Sequence, residues 1–240
     1  MNRIDTRRHA VVVASGGLDS TTVAYLLAER GHSLTLLSVD YGQRHRTELD
    51  YAAKIAGLLL ARHEIVDLTG VGALLTGSAL TDPTVPVPDG RYTQANMRST
   101  VVPNRNAILL AIAAGLAVST DADLVAFGAH SGDHTVYPDC RPAFFDAIEA
   151  AILAGNEGFT APGFRLEAPF LHLTKADVVL SAAQLGVPFE LTWSCYRGGS
   201  EHCGTCSTCI ERRQAFTEAG VPDPTRYAHS ATATPGAVSS

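Results

Sequence analysis

The chain holds no long apolar run. Nothing in its 240 residues approaches the ~20 consecutive apolar positions that a bilayer-crossing helix needs, so no helical membrane anchor is expected. No secretory leader is expected either. Arg3, Arg7 and Arg8 give a basic start, yet only Ala10 to Ala14 follow as an apolar block, short of the roughly 7–15 residues of a signal core. A cytoplasmic protein is the expectation. Cysteine is sparse, with five in all, and in a reducing compartment those few point to metal or chemistry rather than disulfides. Positive charge is also scarce: 18 Lys and Arg stand against 24 Asp and Glu, a net charge of −6. The basic groups gather only in Arg44-His45-Arg46 and Arg212-Arg213. Gripping a nucleic acid calls for a basic stripe, so the composition favours a small-molecule substrate and no nucleic-acid partner.

What is present alternates between strand and helix. Apolar blocks at Ala10–Ala14, Ser33–Val39, His63–Leu68, Leu124–Gly128 and Arg165–Ala168 read as strands. Between them, Asp19–Arg30, Arg44–Ala61, Asn104–Ser119, Pro142–Ala154 and Lys175–Leu185 carry helical patterns. Strands separated by helices predict an α/β fold, a parallel sheet with helices on both faces. Ligands of such sheets sit at the carboxyl ends of the strands. Residues 1–9 read as an extension, 10–190 as the main domain, 191–220 as a cysteine-bearing segment and 228–240 as a disordered tail rich in Ala, Ser, Thr, Pro and Gly.

The first strand runs into Ala14-Ser15-Gly16-Gly17-Leu18-Asp19-Ser20-Thr21-Thr22-Val23-Ala24. A strand, a glycine turn rimmed with hydroxyls and a helix N-terminus make a phosphate cradle, because glycine permits close backbone approach and the first helical amides point at the anion. Asp19 or Ser20 is expected to cap that helix. No Gly-Lys-Ser/Thr follows, so this is not a Walker A loop, and G-x-G-x-x-G is absent. The Ser-Gly-Gly-x-Asp-Ser pattern resembles the PP-loop of ATP pyrophosphatase-type enzymes, which split ATP to AMP and adenylate an oxygen of their substrate.

Cys195, Cys203, Cys206 and Cys209 follow a C-x7-C-x2-C-x2-C spacing. Two residues between thiolates let one turn present both sulfurs to a single ion, and a four-cysteine set leaves no open position for a catalytic water, which favours structural Zn²⁺. An iron–sulfur cluster and redox chemistry are the alternatives. The metal is expected to pin the C-terminal helix Ser207–Glu218 to the body and close one wall of the active site.

Three polar stretches lie between these motifs. Asp40-Tyr41-Gly42-Gln43-Arg44-His45 follows a strand. Asn104 is expected to cap an apolar helix whose first turn holds Arg105, a positive charge that opposes the helix dipole and calls for an anion, with phosphate the candidate. Gly128 to Asp133, then Tyr137-Pro138-Asp139-Cys140-Arg141, gather carboxylates, a histidine and a phenol that suit a guanine-type N–H edge or Mg²⁺ at the phosphates of ATP. Asp139 could instead bridge Arg141. Cys140 reads as a buried small hydrophobe, and Lys175 as either a phosphate contact or a surface lysine.

Together these stretches resemble the 7-cyano-7-deazaguanine synthase (QueC) family. Ser15–Thr22, Tyr41–His45, Val102–Asn106, Gly128–Asp133, Tyr137–Arg141, Thr192–Tyr196 and Cys203–Cys209 stand in the family's order across residues 10 to about 220. The resemblance implies a Rossmann-like sheet of the adenine nucleotide alpha hydrolase type. It implies a ligase that turns 7-carboxy-7-deazaguanine and ammonia into the nitrile with ATP and Mg²⁺, a zinc on the four cysteines, and a homodimer. On this footing Ala14 to Ala24, Asp40 and Arg105 hold ATP. Asp19, Ser20, Arg105 and Asp133 serve catalysis, and Gln43, Arg44, His130, Asp133, Tyr137 and Asp139 meet the substrate. No glutaminase nucleophile precedes the glycine turn, so free ammonia is the expected donor. A tRNA-modifying PP-loop enzyme, a catalytically silent ATP-binding module and a paralogue acting on another deazapurine are the rival readings.

Overall fold

The computed structural model describes residues 8–93, 97–135 and 137–229. Strands β1 (His9–Val13), β2 (Ser33–Asp40), β3 (Arg62–Asp67), β4 (Leu124–Ala126) and β5 (Arg165–Glu167) form one sheet in the order β3-β2-β1-β4-β5. Every pairing is parallel, as the alternating pattern requires. Side chains alternate across a strand, and β1 shows it: Ala10 and Val12 face α1 (Leu18–Glu29) and α2 (Glu48–Leu58), whereas Val11 and Val13 face the other layer. After the short helix α3 (Thr69–Gly72), that other layer is α4 (Arg105–Ser119) and α5 (Pro142–Gly155). Helix α6 (Lys175–Gln184) joins the α1 side, and α7 (Ser207–Ala219) packs Ala215 and Phe216 against Leu18, Val179 and Ala182. Among the described residues no helix is long and apolar enough to cross a membrane.

Several boundaries move for local reasons. The helix expected over residues 44–61 starts only at Glu48, because the Arg44 amide donates to the Leu80 carbonyl (2.7 Å) and the chain is committed to a turn there. It stops at Leu58 because Leu60 adopts a left-handed conformation. β1 begins at His9, inside the expected extension, where the Asp123 carboxylate accepts from its amide. Ala228 and His229, assigned to the tail, are bound: the Ala228 amide donates to the His202 carbonyl, and the His229 carbonyl accepts from Arg213. Residues 1–7 and 230–240 lie outside the described residues.

The order of strands reverses at β1. From β1 the chain moves to β2 and β3 on one side, then returns to β4 on the other. The crevice between the carboxyl ends of β1 and β4 is therefore where this fold places a ligand.

Candidate active site

The glycine turn sits in that crevice. Gly16 has φ +78°, and a Cβ there would run into the backbone of Glu48 and Ala52, so only glycine lets α2 close over the turn. The Gly16 carbonyl accepts from the Trp193 amide at 2.9 Å. The expected side-chain cap is absent: Gly17 occupies the N-cap position without a side-chain bond. Instead the Ser20 hydroxyl accepts from the Ser15 amide (3.2 Å) and lies 3.1 Å from the Ser15 hydroxyl, which accepts from the Gly17 amide. The serines shape the loop, and the first-turn amides of α1 keep no intrahelical acceptor. Such amides suit an anion.

The turn opens on a cavity of about 220 Å³ with two chemically distinct halves. In one, Asp19 Oδ2 pairs with Lys175 Nζ at 2.5 Å, while Asp19 Oδ1 is buried without a partner. Burial pushes the Asp19 carboxyl up, but the Lys175 and His130 charges beside it hold it below the usual carboxylate range. A reciprocal cap between Thr174 and Asp177 fixes the start of α6 and with it Lys175. Lys175 Nζ lies 3.5 Å from His130 Nε2, which is 3.6 Å from Asp133 Oδ2. Glu211 of α7 completes this half, its carboxyl pushed up by burial.

The other half is aromatic. Tyr41, Tyr92, Tyr196, His45 and Glu48 line it around Arg105, over an apolar floor that includes Leu37, Val39, Leu109 and Phe127. Arg105 is hydrogen-bonded to Tyr41, and the Tyr92 hydroxyl donates to the Tyr196 hydroxyl at 3.3 Å. Glu48 accepts from Gln43 Nε2 (3.0 Å) and lies 3.4 Å from His45 Nε2. Burial pushes the Glu48 carboxyl up to about 8 and, with the Arg105 charge, the His45 imidazole down to about 3.

Not every expected residue reaches the cavity. Ala14, Ser15, Gly17, Leu18, Asp19, Ser20, Arg105, His130 and Asp133 line it. Thr21, Thr22, Val23 and Ala24 are buried inside α1. Asp40 is turned to Arg46 (2.7 Å) and the Gly42 amide. Gln43 is spent on the Val39 carbonyl and Glu48, and Arg44 on the carbonyls of Asp82 and Val85, where it anchors the proline-rich loop. Tyr137 lies one layer back, 2.9 Å from the Thr100 hydroxyl and bonded to Tyr196. Asp139 accepts from the Asn106 amide at the start of α4 (3.3 Å), while Arg141 donates to the His134 carbonyl, so the supposed bridge between them is absent. Asn104 holds the N-cap position of α4 with φ +58° but makes no side-chain cap.

Sequence reasoning passed over Tyr92, Glu48, Trp193, Ser194 and Glu211 as wall residues, and left Lys175 undecided. Lys175 carried a usable signal, since a capping-box Thr-x-x-Asp places the residue after Thr174 at a helix start.

The four cysteines do converge. The sulfurs of Cys195, Cys203, Cys206 and Cys209 all lie within 4.8 Å of one another, with Cys203 and Cys209 at 3.9 Å. A tetrahedron with metal–sulfur bonds of about 2.3 Å has edges of about 3.8 Å, so a single ion suits the site. The amides of Thr205 and Cys206 donate to the Cys203 sulfur and fix its place in the set. Around the cluster Trp193, Ala79 and Val87 pack, and the same segment sends Trp193, Ser194, Tyr196, Thr208 and Glu211 into the cavity wall.

With this geometry established, the chain was compared with known proteins. A family model described as "Queuosine biosynthesis protein QueC" matches residues 9–220. The 7-cyano-7-deazaguanine synthase of Rhizobium johnstonii is 53% identical over 217 residues, 90% of this chain and 91% of that protein. That of Paracoccus denitrificans is 54% identical over 217 residues, 90% and 92% of the two chains. The 7-cyano-7-deazaguanine synthase 1 of Mesorhizobium japonicum is 53% identical over 219 residues, 91% and 93% of the two chains.

Proposed function

Because the chain belongs to the QueC family of queuosine biosynthesis proteins, we propose that it is the ligase that converts 7-carboxy-7-deazaguanine to 7-cyano-7-deazaguanine, with ATP as energy source and ammonia as nitrogen donor. The observation that carries this reading is that one cavity is lined both by the glycine turn at the start of α1, which suits phosphate, and by the rings of Tyr41, Tyr92 and Tyr196, which suit a flat ligand. A carboxylate oxygen is a poor leaving group. Attack of that oxygen on the α-phosphorus of ATP expels pyrophosphate and leaves an acyl adenylate. Ammonia adds to the acyl carbon, AMP departs, and a proton is lost to give the amide. The amide oxygen then attacks a second ATP in the same way. That O-adenylated, protonated imidate then loses both N–H protons and AMP, which leaves the nitrile.

The first-turn amides of α1 receive phosphate oxygens, and Lys175 offsets the charge that develops on pyrophosphate. Asp19, with its buried Oδ1 unpartnered, has an oxygen free for a divalent cation that accompanies the phosphates. Mg²⁺ held there would neutralise phosphate charge. The cysteine set fits Zn²⁺, which would supply cross-linking only, since no ligand position is left open.

Free ammonia is favoured because Cys140, the described cysteine outside the cluster, is buried with its thiol pushed up by burial, which disables it as a glutaminase nucleophile. The acidic net charge supports a small-molecule substrate over a nucleic acid. Exposed Leu58, Leu60 and Ile65 beside edge strand β3 suit a homodimer face. Incubation with ATP, Mg²⁺, ammonium and the acid is expected to yield the nitrile, AMP and pyrophosphate by mass spectrometry. Absence of both nitrile and amide would refute the assignment, and turnover on glutamine with ammonia removed would refute the donor.

A further inference from the structure

Arg105 is the charged group of the aromatic half. Burial raises the phenols of Tyr41, Tyr92 and Tyr137, so these three are neutral hydroxyls at physiological pH. Glu48, pushed up to about 8, keeps its proton, and His45, pushed down to about 3, carries none. Among the described residues no carboxylate forms an ion pair with Arg105. The two nearest in sequence motif are engaged: Asp139 accepts from the Asn106 amide and Asp133 from the His130 amide. Arg105 is also the first residue of α4, where the helix dipole is already positive. A guanidinium set in a cavity wall without counter-charge is costly. The site is electrostatically complete only with an anion in it.

The nucleotide's phosphates have their own receptor. The amides of α1 and Lys175 occupy the other half, and the field on Asp19 comes chiefly from Lys175 and His130, with Arg105 absent from its leading sources. Arg105, in turn, is hydrogen-bonded to Tyr41 and has Tyr137 and Tyr196 beside it. Flat rings and hydroxyl donors around a planar fork suit a flat ligand that bears a carboxylate, because guanidinium and carboxylate match through two parallel N–H···O bonds and aromatic faces pack against the ring.

We propose that Arg105, flanked by the Tyr41 and Tyr196 hydroxyls, is the receptor for the carboxylate of the heteroaromatic acid and not for a phosphate of the nucleotide. This rests on the ligase reading above. It reverses the phosphate role that the helix position alone suggested, and it turns the aromatic half into the acid's subsite.

The acid is an anion and its amide intermediate is neutral, which separates the alternatives. Calorimetry on the metal-loaded protein would measure binding of the acid, of the amide and of Mg·ATP to the wild type, Arg105→Gln and Arg105→Lys. Arg105→Gln is expected to weaken the acid roughly 100-fold, the amide less than about 5-fold, and to leave Mg·ATP unchanged, which also reports that the variant is folded. Should Arg105→Gln not fold, Arg105→Lys, which keeps the charge but loses the fork, carries the comparison with a smaller loss for the acid alone. Weakened Mg·ATP with the acid unaffected would overturn the proposal, as would equal losses for acid and amide. A wild type that binds neither acid nor amide would instead sink the ligase reading itself.

Discussion

Glu48 couples the stability of the ligand-free protein to pH. Its carboxyl is almost covered and is held near pKa 8 against an ordinary 4.5, with burial the main cause and the Gln43 bond and Arg105 charge opposing it. The folded state thus retains a proton that the unfolded chain releases above pH 4.5. For such a group the contribution to stability is complete below the unfolded value. It is lost as pH rises, and the loss ends once pH passes the folded value near 8. At about 1.36 kcal/mol per pH unit the gap between 4.5 and about 8 sets a ceiling of ~5 kcal/mol. Water entering the open cavity lowers this, and about 2 kcal/mol is the expected size. Glu48→Gln has no proton to hold, yet its amide oxygen still accepts from Gln43. Urea unfolding of the metal-loaded, nucleotide-free protein from pH 5 to 8.5 is the assay. The variant should match the wild type near pH 5 and exceed it by about 2 kcal/mol near pH 8. Parallel curves for the two proteins across that range would refute the reasoning.

Three further outcomes follow from the same geometry. Stripping the cysteine-bound metal should release Trp193 and Tyr196 from the cavity wall and abolish turnover, with a fall of several degrees or more in the thermal midpoint. An unchanged melt after complete metal removal would contradict this. Gly16→Ala must displace α2, since its Cβ meets the Glu48 and Ala52 backbone, and Mg·ATP affinity measured by calorimetry should drop at least ~10-fold. Lys175→Met leaves Asp19 without its partner and pyrophosphate without its cation, so kcat in steady-state assays should fall at least ~100-fold. A variant within threefold of wild type would remove Lys175 from the mechanism.

How far the sequence could be read depended on whether a signal was local. The Ser-Gly-Gly turn, the alternation of strands and helices and the cysteine spacing are short-range patterns fixed by backbone sterics, and each reappears where expected. Side-chain destinations are not local. Gln43 and Arg44 stand beside Tyr41 and His45 in one motif, yet the latter two line the cavity while the former two brace the chain behind it. In a turn without regular period, residue type alone does not say which neighbours face inward. Asp139 shows the same limit: it satisfies an amide at the start of α4, a role set by the packing of the segment 137–141 against α4. Glu211 was hidden because an acidic residue on a polar helix reads as solvated until the metal segment is folded against α6.

That last contact gives a reason for a metal-ligating cluster in the segment that walls the cavity. The crevice between β1 and β4 supplies the glycine turn, but the sheet alone leaves one side of it open. The segment that closes it is short and has little apolar surface of its own: α7 buries only Ala215 and Phe216 as apolar anchors in the core between α1 and α6. Its other anchor is polar, the buried Arg212, which donates to the Thr192 and Ser194 hydroxyls and to the Phe189 carbonyl. A polar anchor that exchanges water bonds for protein bonds adds only about 1–3 kcal/mol per contact, less than the cost of ordering a loop of this length. Four thiolates on one ion would supply the difference, and one of them, Cys195, stands two residues from Trp193, whose amide holds Gly16. A metal held there would act on catalysis through position, by fixing the wall against which the glycine turn is shaped.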